Sequence, residues 1–335
     1  MNSKERFQAV LSGKPADKTP VFPLLMSFAA KRYGINYKTF VSNGSAMAEA
    51  QIKVFENYGV DAVSACSDAF RISADLGGDI VFEKNSPPHL SCPLVTSESE
   101  LARLSGSKIL TAGSRTSDRV NAVREMVKSI GNECMVLGWV DMPFAEACSL
   151  CGVAEFMTMM YDEPELAHKI LAFLTEHVIN FAVAQIESGA PMIGAGDAAA
   201  SLISPDLYRE FAFPYEQEVC AACHNAGAFV KLHICGNTSA LLNDMAQLDA
   251  DLFNVDHLVD LEAATQTYGS AGKTFKGNLD PVSDILDATP EVCTKKAKNC
   301  MDIAKGSKYI LSAGCEVPAE VSDDVFIAFC DSVNI

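Results

Sequence analysis

Short apolar runs rich in Val, Ile and Phe recur along the chain, separated by longer amphipathic stretches. The runs are Val21–Met26, Asp61–Cys66, Met135–Val140, Pro191–Asp197, Phe229–Ile234, Leu252–Asp256, Thr274–Leu279 and Tyr309–Cys315. Each has strand length and reads as a buried strand. Between them, Glu163–Ser188 and Pro205–Asn225 carry helical spacing, and Ser204-Pro205 opens the second with an N-cap followed by proline. Gly189 and Gly227 stand where those helices should stop. Strands alternating with helices in this number predict an α/β protein, a (β/α)8 TIM barrel with an N-terminal helical extension and an additional strand near Asp79–Lys84. A doubly wound open sheet competes with this, but no glycine-rich fingerprint follows the first run. No linker, charge block or low-complexity tract divides the chain, so residues 1–335 read as a single domain.

Charge narrows the partners. With 26 Lys+Arg against 43 Asp+Glu the formal charge is −17, and no basic cluster with interleaved aromatics reverses it locally, so nucleic acid is not expected as a partner. No apolar run approaches the ~20 residues needed to span a bilayer. The segment Val21–Ala30 is interrupted by Pro23 and preceded by Glu5 and Asp17, unlike a signal peptide. The expectation is a cytoplasmic protein without membrane association. Its 12 cysteines are too sparse for a disulfide scaffold and read as reduced thiols or metal ligands.

In a barrel, chemistry sits at the C-terminal ends of the strands, where the loops surround one mouth. Those ends carry Asp68, Asp197, His233, Cys235, Asp256, His257, Asn278, Asp280 and Cys315. In Lys231-Leu-His-Ile-Cys-Gly-Asn237, strand alternation puts His233 and Cys235 on one face, and Gly236 lets the backbone turn away. Cys315 ends the last strand after Gly314. An imidazole and two thiolates make a three-ligand zinc set that leaves one position for water or substrate. The plainer reading makes both cysteines buried small hydrophobes and His233 a satisfied core histidine, and on the residues alone both stand. Asp256 is a candidate fourth ligand or a structural residue, whereas His257 points to the opposite face. Asp197, between Gly196 and Ala198, is expected open to the mouth as a catalytic candidate.

Other patterns favour packing. Cys220-Ala-Ala-Cys-His224 has the spacing of a c-type haem site but lies within an amphipathic helix and follows no export signal. Cys148 and Cys151 lack a redox-protein strand context, and Phe156 with Met157, Met159 and Met160 reads as core. Asp280, before Pro281, reads as a turn cap.

Taken together, Arg6-Phe7, Gly13-Lys-Pro-Ala-Asp-Lys-Thr-Pro-Val21, Asp68, Gly138 to Phe144, Ser201-Leu-Ile-Ser-Pro-Asp-Leu-Tyr-Arg-Glu-Phe211, His233-Ile-Cys-Gly-Asn237, Gly277-Asn-Leu-Asp-Pro281 and Gly314-Cys315 give a chain that resembles the uroporphyrinogen decarboxylase superfamily. Within it, the chain is similar to the zinc-dependent corrinoid methyltransferases of the methylcobamide:coenzyme M type. The resemblance implies a barrel in which His233, Cys235 and Cys315 bind zinc. It also implies methyl transfer between a corrinoid, carried by a partner protein, and a zinc-activated substrate, foremost a thiol such as coenzyme M. The decarboxylases of the superfamily are metal-free and carry histidine where this chain has Cys315. They keep a catalytic aspartate at the position of Asp68, so tetrapyrrole decarboxylation is the alternative activity. That alternative needs cations to clamp substrate carboxylates, for which Arg6, Arg32 and Arg71 are the candidates. Members of the superfamily occur as monomers and dimers, so a homodimer is compatible with the resemblance.

Overall fold

The structure, a computed structural model, describes residues 1–82 and 87–334. Its strands are β1 (Ala62–Ser64), β2 (Ile80–Val81), β3 (His89–Leu90), β4 (Met135–Asp141), β5 (Met192–Gly196), β6 (Phe229–His233), β7 (Leu252–Asn254), β8 (Thr274–Leu279) and β9 (Tyr309–Ala313). Seven of these, β1 and β4 to β9, form one parallel sheet in chain order, with helices between consecutive strands. This is a curled, TIM-barrel-like α/β fold.

The first apolar run departs from expectation. Val21 and Leu24 make only isolated bridges, to Leu311 and Glu316. The segment nonetheless joins both ends of the sheet. Phe22 N donates to Leu311 O at 2.9 Å and Leu311 N to Pro20 O at 2.8 Å, while Asp61 N, just before β1, donates to Val21 O at 2.7 Å. Pro20 and Pro23 lack the N–H groups a regular ladder requires, so this eighth stave is held by a few bonds rather than a strand. The additional strand expected near Asp79–Lys84 is β2, which pairs antiparallel with β3 apart from the main sheet. Lys84 lies outside the described residues.

Alternation along the strands sorts residues between the barrel interior and the helical layer. At the N-terminal end of the interior, Phe7, Phe22, Ala62, Met135, Leu137, Met192, Leu252 and Ile310 pack together. The helix Ser3–Leu11 delivers Phe7 there, its first turn fixed by a capping box between Asn2 and Glu5. Arg6 on the same helix bonds Asp61 at 2.5 Å and Asp17 at 2.7 Å. Outside the sheet a larger core joins strands to helices.

Gly189 and Gly227 follow their helices at φ 105° and 88°, the left-handed region expected of helix stops. The stretch expected as one helix from Pro205 to Asn225 is instead a turn (Pro205–Leu207), a π-helical segment (Tyr208–Ala212) and a helix (Phe213–Asn225). Pro214 supplies no N–H to continue the α-helical ladder, which accounts for the break. The helix Pro164–Glu187 is, by length and composition, apolar enough to cross a membrane, contrary to the expectation from short runs. Half of its most apolar window is buried in the protein, through residues such as Leu166, Ile170, Leu174 and Phe181.

Candidate metal centre

His233 ends β6, Cys235 lies two residues past it, and Cys315 lies two residues past β9. At the mouth their donor atoms converge. Cys235 Sγ stands 2.9 Å from His233 Nε2 and 3.4 Å from Cys315 Sγ, and Cys315 Sγ stands 3.7 Å from Nε2. Among the described residues this is the one group of three or more His, Cys, Asp or Glu side chains gathered tightly enough to hold a metal ion. A tetrahedral zinc site places its sulfur and nitrogen donors roughly 3.6–3.8 Å apart, by trigonometry on Zn–S and Zn–N bond lengths. Two edges match this to within a few tenths of an ångström, and the His233–Cys235 edge is the short one.

The electrostatics suit a cation. Burial, then the neighbouring Lys231 charge, lowers the His233 pKa, so the imidazole is neutral and Nε2 can act as a ligand. The hydrogen bond from Cys235 pulls the Cys315 thiol pKa down against its burial, and the same contact with burial pushes Cys235 up. The pair therefore ionises readily once and resists a second ionisation unless a cation is added. His233 Nδ1 is buried without a partner, as is the Oδ1 of Asn254, its register neighbour on β7. These residues fit a zinc ion.

Glycines make room for the loops. Gly236 has φ 90°, and a Cβ on Gly314 would lie 2.3 Å from His257 N, so the chain before Cys315 passes against the β7 loop only as glycine. Asn254 Nδ2 donates to Gly314 O at 2.8 Å and holds that chain in place.

The centre opens on a cavity of about 470 Å³ lined also by Leu24, Met26, Phe70, Trp139, Asp141, Leu202 and Glu316. Trp139 lies across β5 because Gly194 and Gly196 carry no side chain there: a Cβ on Gly194 would meet the indole at 2.4 Å. Beneath the indole, fully buried Lys231 places Nζ 4.6 Å from a Trp139 ring centroid, and burial lowers its pKa to about 8. Asp141 pairs with buried Arg71. Its pKa is pushed up to about 6 by burial, opposed by Arg71.

The remaining expected residues do not join the centre. Asp256 accepts from Gly236 N at 2.9 Å and Leu258 N at 3.0 Å, so both carboxylate oxygens anchor the turns around the centre. His257 contacts the same carboxylate at 3.2 Å. Asp197 was expected open to the mouth, but the step from inward-facing Gly196 turns it outward. It is fully buried, apart from the residues lining the cavity, with both oxygens unpartnered. Burial, then the neighbouring Glu216 carboxyl, pushes its pKa well up, and Tyr208 donates to Glu216 at 2.5 Å. Asp68 is likewise absent from the cavity lining: Arg115 grips it with bonds of 2.8 and 2.6 Å. Asn278 donates to the Asp256 and Val259 carbonyls, while Asp280 caps Val282 N at 2.8 Å as expected.

Sequence reading missed Trp139, Asp141 and Glu316. The apolar run of β4 stops at Val140, one residue before Asp141, and Gly194-Ala-Gly196 is the sequence sign that a large side chain lies over β5. Cys220 and Cys223 are buried along the helix Phe213–Asn225, away from the centre.

A family model of uroporphyrinogen decarboxylase (URO-D) matches residues 2–334. The chain belongs to the uroporphyrinogen decarboxylase family. Within it, this URO-D family member is 28% identical to a methylcobamide:CoM methyltransferase of Methanosarcina mazei over 325 residues, 94% of this chain and 92% of that protein. It is 31% identical to the corresponding protein of Methanosarcina acetivorans over 200 residues, 59% of this chain and 57% of the relative. A uroporphyrinogen decarboxylase of Cellvibrio japonicus is 26% identical over 352 residues, covering 99% of this chain and 96% of that one. The fold matches a methyltransferase structure from Methanosarcina mazei with a TM-score of 0.88 at 22% identity, over 100% of this chain and 98% of that one. Both enzyme types of the family are thus similar in sequence across most of the chain, and the likeness to the methyltransferases supports methyl transfer.

Proposed function

We propose that this URO-D family member is a zinc-dependent methyltransferase that moves a methyl group between a corrinoid, brought by a partner protein, and a small thiol. The observation that carries the reading is the convergence of His233 Nε2, Cys235 Sγ and Cys315 Sγ within 3.7 Å at the mouth of an open cavity. We assign those three as ligands and leave Asp256 out, because its oxygens are committed to backbone N–H groups. Zinc held there supplies Lewis acidity that ionises a bound thiol near neutral pH.

The chain's own residues do the rest. Cys235 and Cys315 as cysteinates would balance the dication's charge, so the sulfur of a substrate thiol in the fourth position would stay electron-rich and nucleophilic. With Nε2 committed to metal, His233 carries its proton on Nδ1. Trp139, Leu24 and Met26 pack together and give the cavity an apolar wall. Asp256 and Asn254 hold the loops bearing Cys235 and Cys315 through Gly236 N and Gly314 O.

Decarboxylation finds less support. Asp68 is spent on Arg115, Arg6 on Asp61 and Asp17, Arg32 on Asp323, and Arg71 on Asp141, so none of the three expected cations is free to clamp carboxylates. The test is zinc-replete protein incubated with methylcobalamin and a thiol, followed by the loss of methylcobalamin absorbance. Thiol-dependent demethylation that disappears in Cys235→Ser supports the proposal. Release of CO2 from uroporphyrinogen with no demethylation contradicts it.

A further inference from the structure

The N-terminal end of the barrel, opposite the metal centre, carries a second cavity, of about 540 Å³. Four lysines line it, Lys14 and Lys18 from the loop before the Val21–Met26 stave and Lys305 and Lys308 from the turn that leads into β9. No Asp or Glu is among its described lining residues. In a chain with 43 acidic and 26 basic residues this is a local reversal of sign. The two pairs come from opposite ends of the chain, so only the fold brings them together.

Loop and turn meet closely. Gly13, at φ 67°, lies against the Lys308 side chain: a Cβ there would stand 3.0 Å from Cε and 3.7 Å from Nζ. Lys308 Nζ donates to Gly272 O at 2.9 Å and Lys18 Nζ to Asn334 Oδ1 at 2.8 Å, neutral acceptors that leave both charges uncompensated. Lys31, Lys53, Lys169 and Lys296 each hold a carboxylate, whereas none of the four cleft lysines forms an ion pair among the described residues. The acids nearest in sequence are engaged elsewhere. Asp17 holds Arg6 and the N-terminal ammonium, Asp302 lines a separate surface cavity with Lys295 and Lys298, and Asp331 accepts from Asn334 Nδ2 at 3.1 Å.

Four like charges gathered in one concavity repel one another, and a multiply charged anion between them replaces that repulsion by attraction. Lysine holds phosphate as a point charge, while Thr19 and Ser307 add hydroxyl donors and Val10 and Met301 an apolar wall. The volume suits a small molecule. The cleft also lies on the seam of the barrel, because its loop runs on into the stave that bonds Leu311 of β9 through Pro20 O and Phe22 N. We infer that this cleft binds a small ligand bearing phosphate groups, and that the bound ligand ties the Val21–Met26 stave to β9.

The probes are inorganic pyrophosphate and ADP, titrated calorimetrically into the full chain, with urea denaturation in the presence and absence of each. One ligand should bind per chain and raise the urea midpoint. Each lysine at such a site is worth about fivefold in affinity, so Lys14→Gln combined with Lys305→Gln, both exposed, should weaken binding by about 25-fold and shrink the shift in midpoint. Lys295→Gln combined with Lys298→Gln makes the same change of net charge on the neighbouring helix Pro290–Ile303 and should bind like wild type. Cys315→Ala should also bind like wild type, which separates this site from any phosphate held at the metal centre. Tighter binding of ADP than of pyrophosphate assigns the site to an organic phosphate and equal binding to the free anion, and either supports the inference. No saturable binding of either probe, equal weakening in the two double variants, or loss of binding in Cys315→Ala overturns it. A cleft that takes a polyglutamate peptide and neither probe belongs to an acidic protein segment, which overturns it as well.

Discussion

Replacing Asp68 by Asn separates a scaffold carboxylate from a catalytic one. The side chain is 1% exposed, takes two bonds from Arg115 at 2.8 and 2.6 Å, and accepts Phe70 N at 3.1 Å. Burial pushes its pKa up, but the Arg115 hydrogen bonds and charge outweigh that and hold it below the usual carboxylate value. Asn keeps the shape, removes the charge and leaves Arg115 uncompensated. Breaking a fully buried pair from one side costs about 3–5 kcal/mol. Arg115 is 17% exposed and also donates to the Phe70 and Val41 carbonyls, so about 2–3 kcal/mol is expected here. The depressed folded pKa means the stabilisation is present above the unfolded value near 4 and is lost as pH falls through the lower folded value. In urea denaturation the Asp68→Asn deficit should be full at pH 7 and shrink toward pH 3. Methyl-transfer turnover per folded molecule should stay within about threefold, far from the 100-fold or greater loss of removing a general acid or base. Stability unchanged within about 0.5 kcal/mol, with turnover down a hundredfold, would refute the scaffold assignment.

Two further perturbations test the packing and the buried acids. Gly194→Ala drives a Cβ to 2.4 Å from the Trp139 ring, which is backed by Lys231, and should cost about 1–3 kcal/mol in urea denaturation and weaken thiol binding; a neutral outcome removes the claim that β5 is glycine-rich to seat the indole. Burial raises Glu216 to about 7, so from about pH 4.5 to 7 the folded protein keeps a proton that the unfolded chain releases, and stability falls as pH rises through that window. Asp197 acts in the same direction. Glu216→Gln should flatten that pH dependence by roughly 1–3 kcal/mol, and an unchanged profile contradicts a proton retained on Glu216 in the folded protein.

The parts of this molecule legible in its sequence are those that local rules govern. Alternation within Lys231–Cys235 puts His233 and Cys235 on one face, and the short apolar runs locate all seven strands of the main sheet to within a residue or two at their ends. Where two backbone rules competed, the reading slipped: Pro20 and Pro23 turned an apolar run into an irregular stave, and Pro214 broke an expected long helix. Side-chain direction at strand ends was the harder part. A single residue decides whether an acid faces the mouth or the helical layer, so Asp141 lines the cavity and Asp197 does not. Ion pairing between distant segments was also invisible. Asp68 looks catalytic as a residue type at a strand end, and only the helix Arg115–Ile130, 47 positions on, shows that its charge is spent.

The most direct measurement of the central claim is the metal content of protein purified under reducing, chelator-free conditions, by elemental analysis of wild type, Cys315→Ala and Cys220→Ser. The three-donor centre predicts about one zinc per chain in wild type and in Cys220→Ser, whose altered thiol is buried in a helix remote from the mouth, and loss of that zinc in Cys315→Ala. No zinc in wild type, or full zinc in Cys315→Ala, contradicts the account.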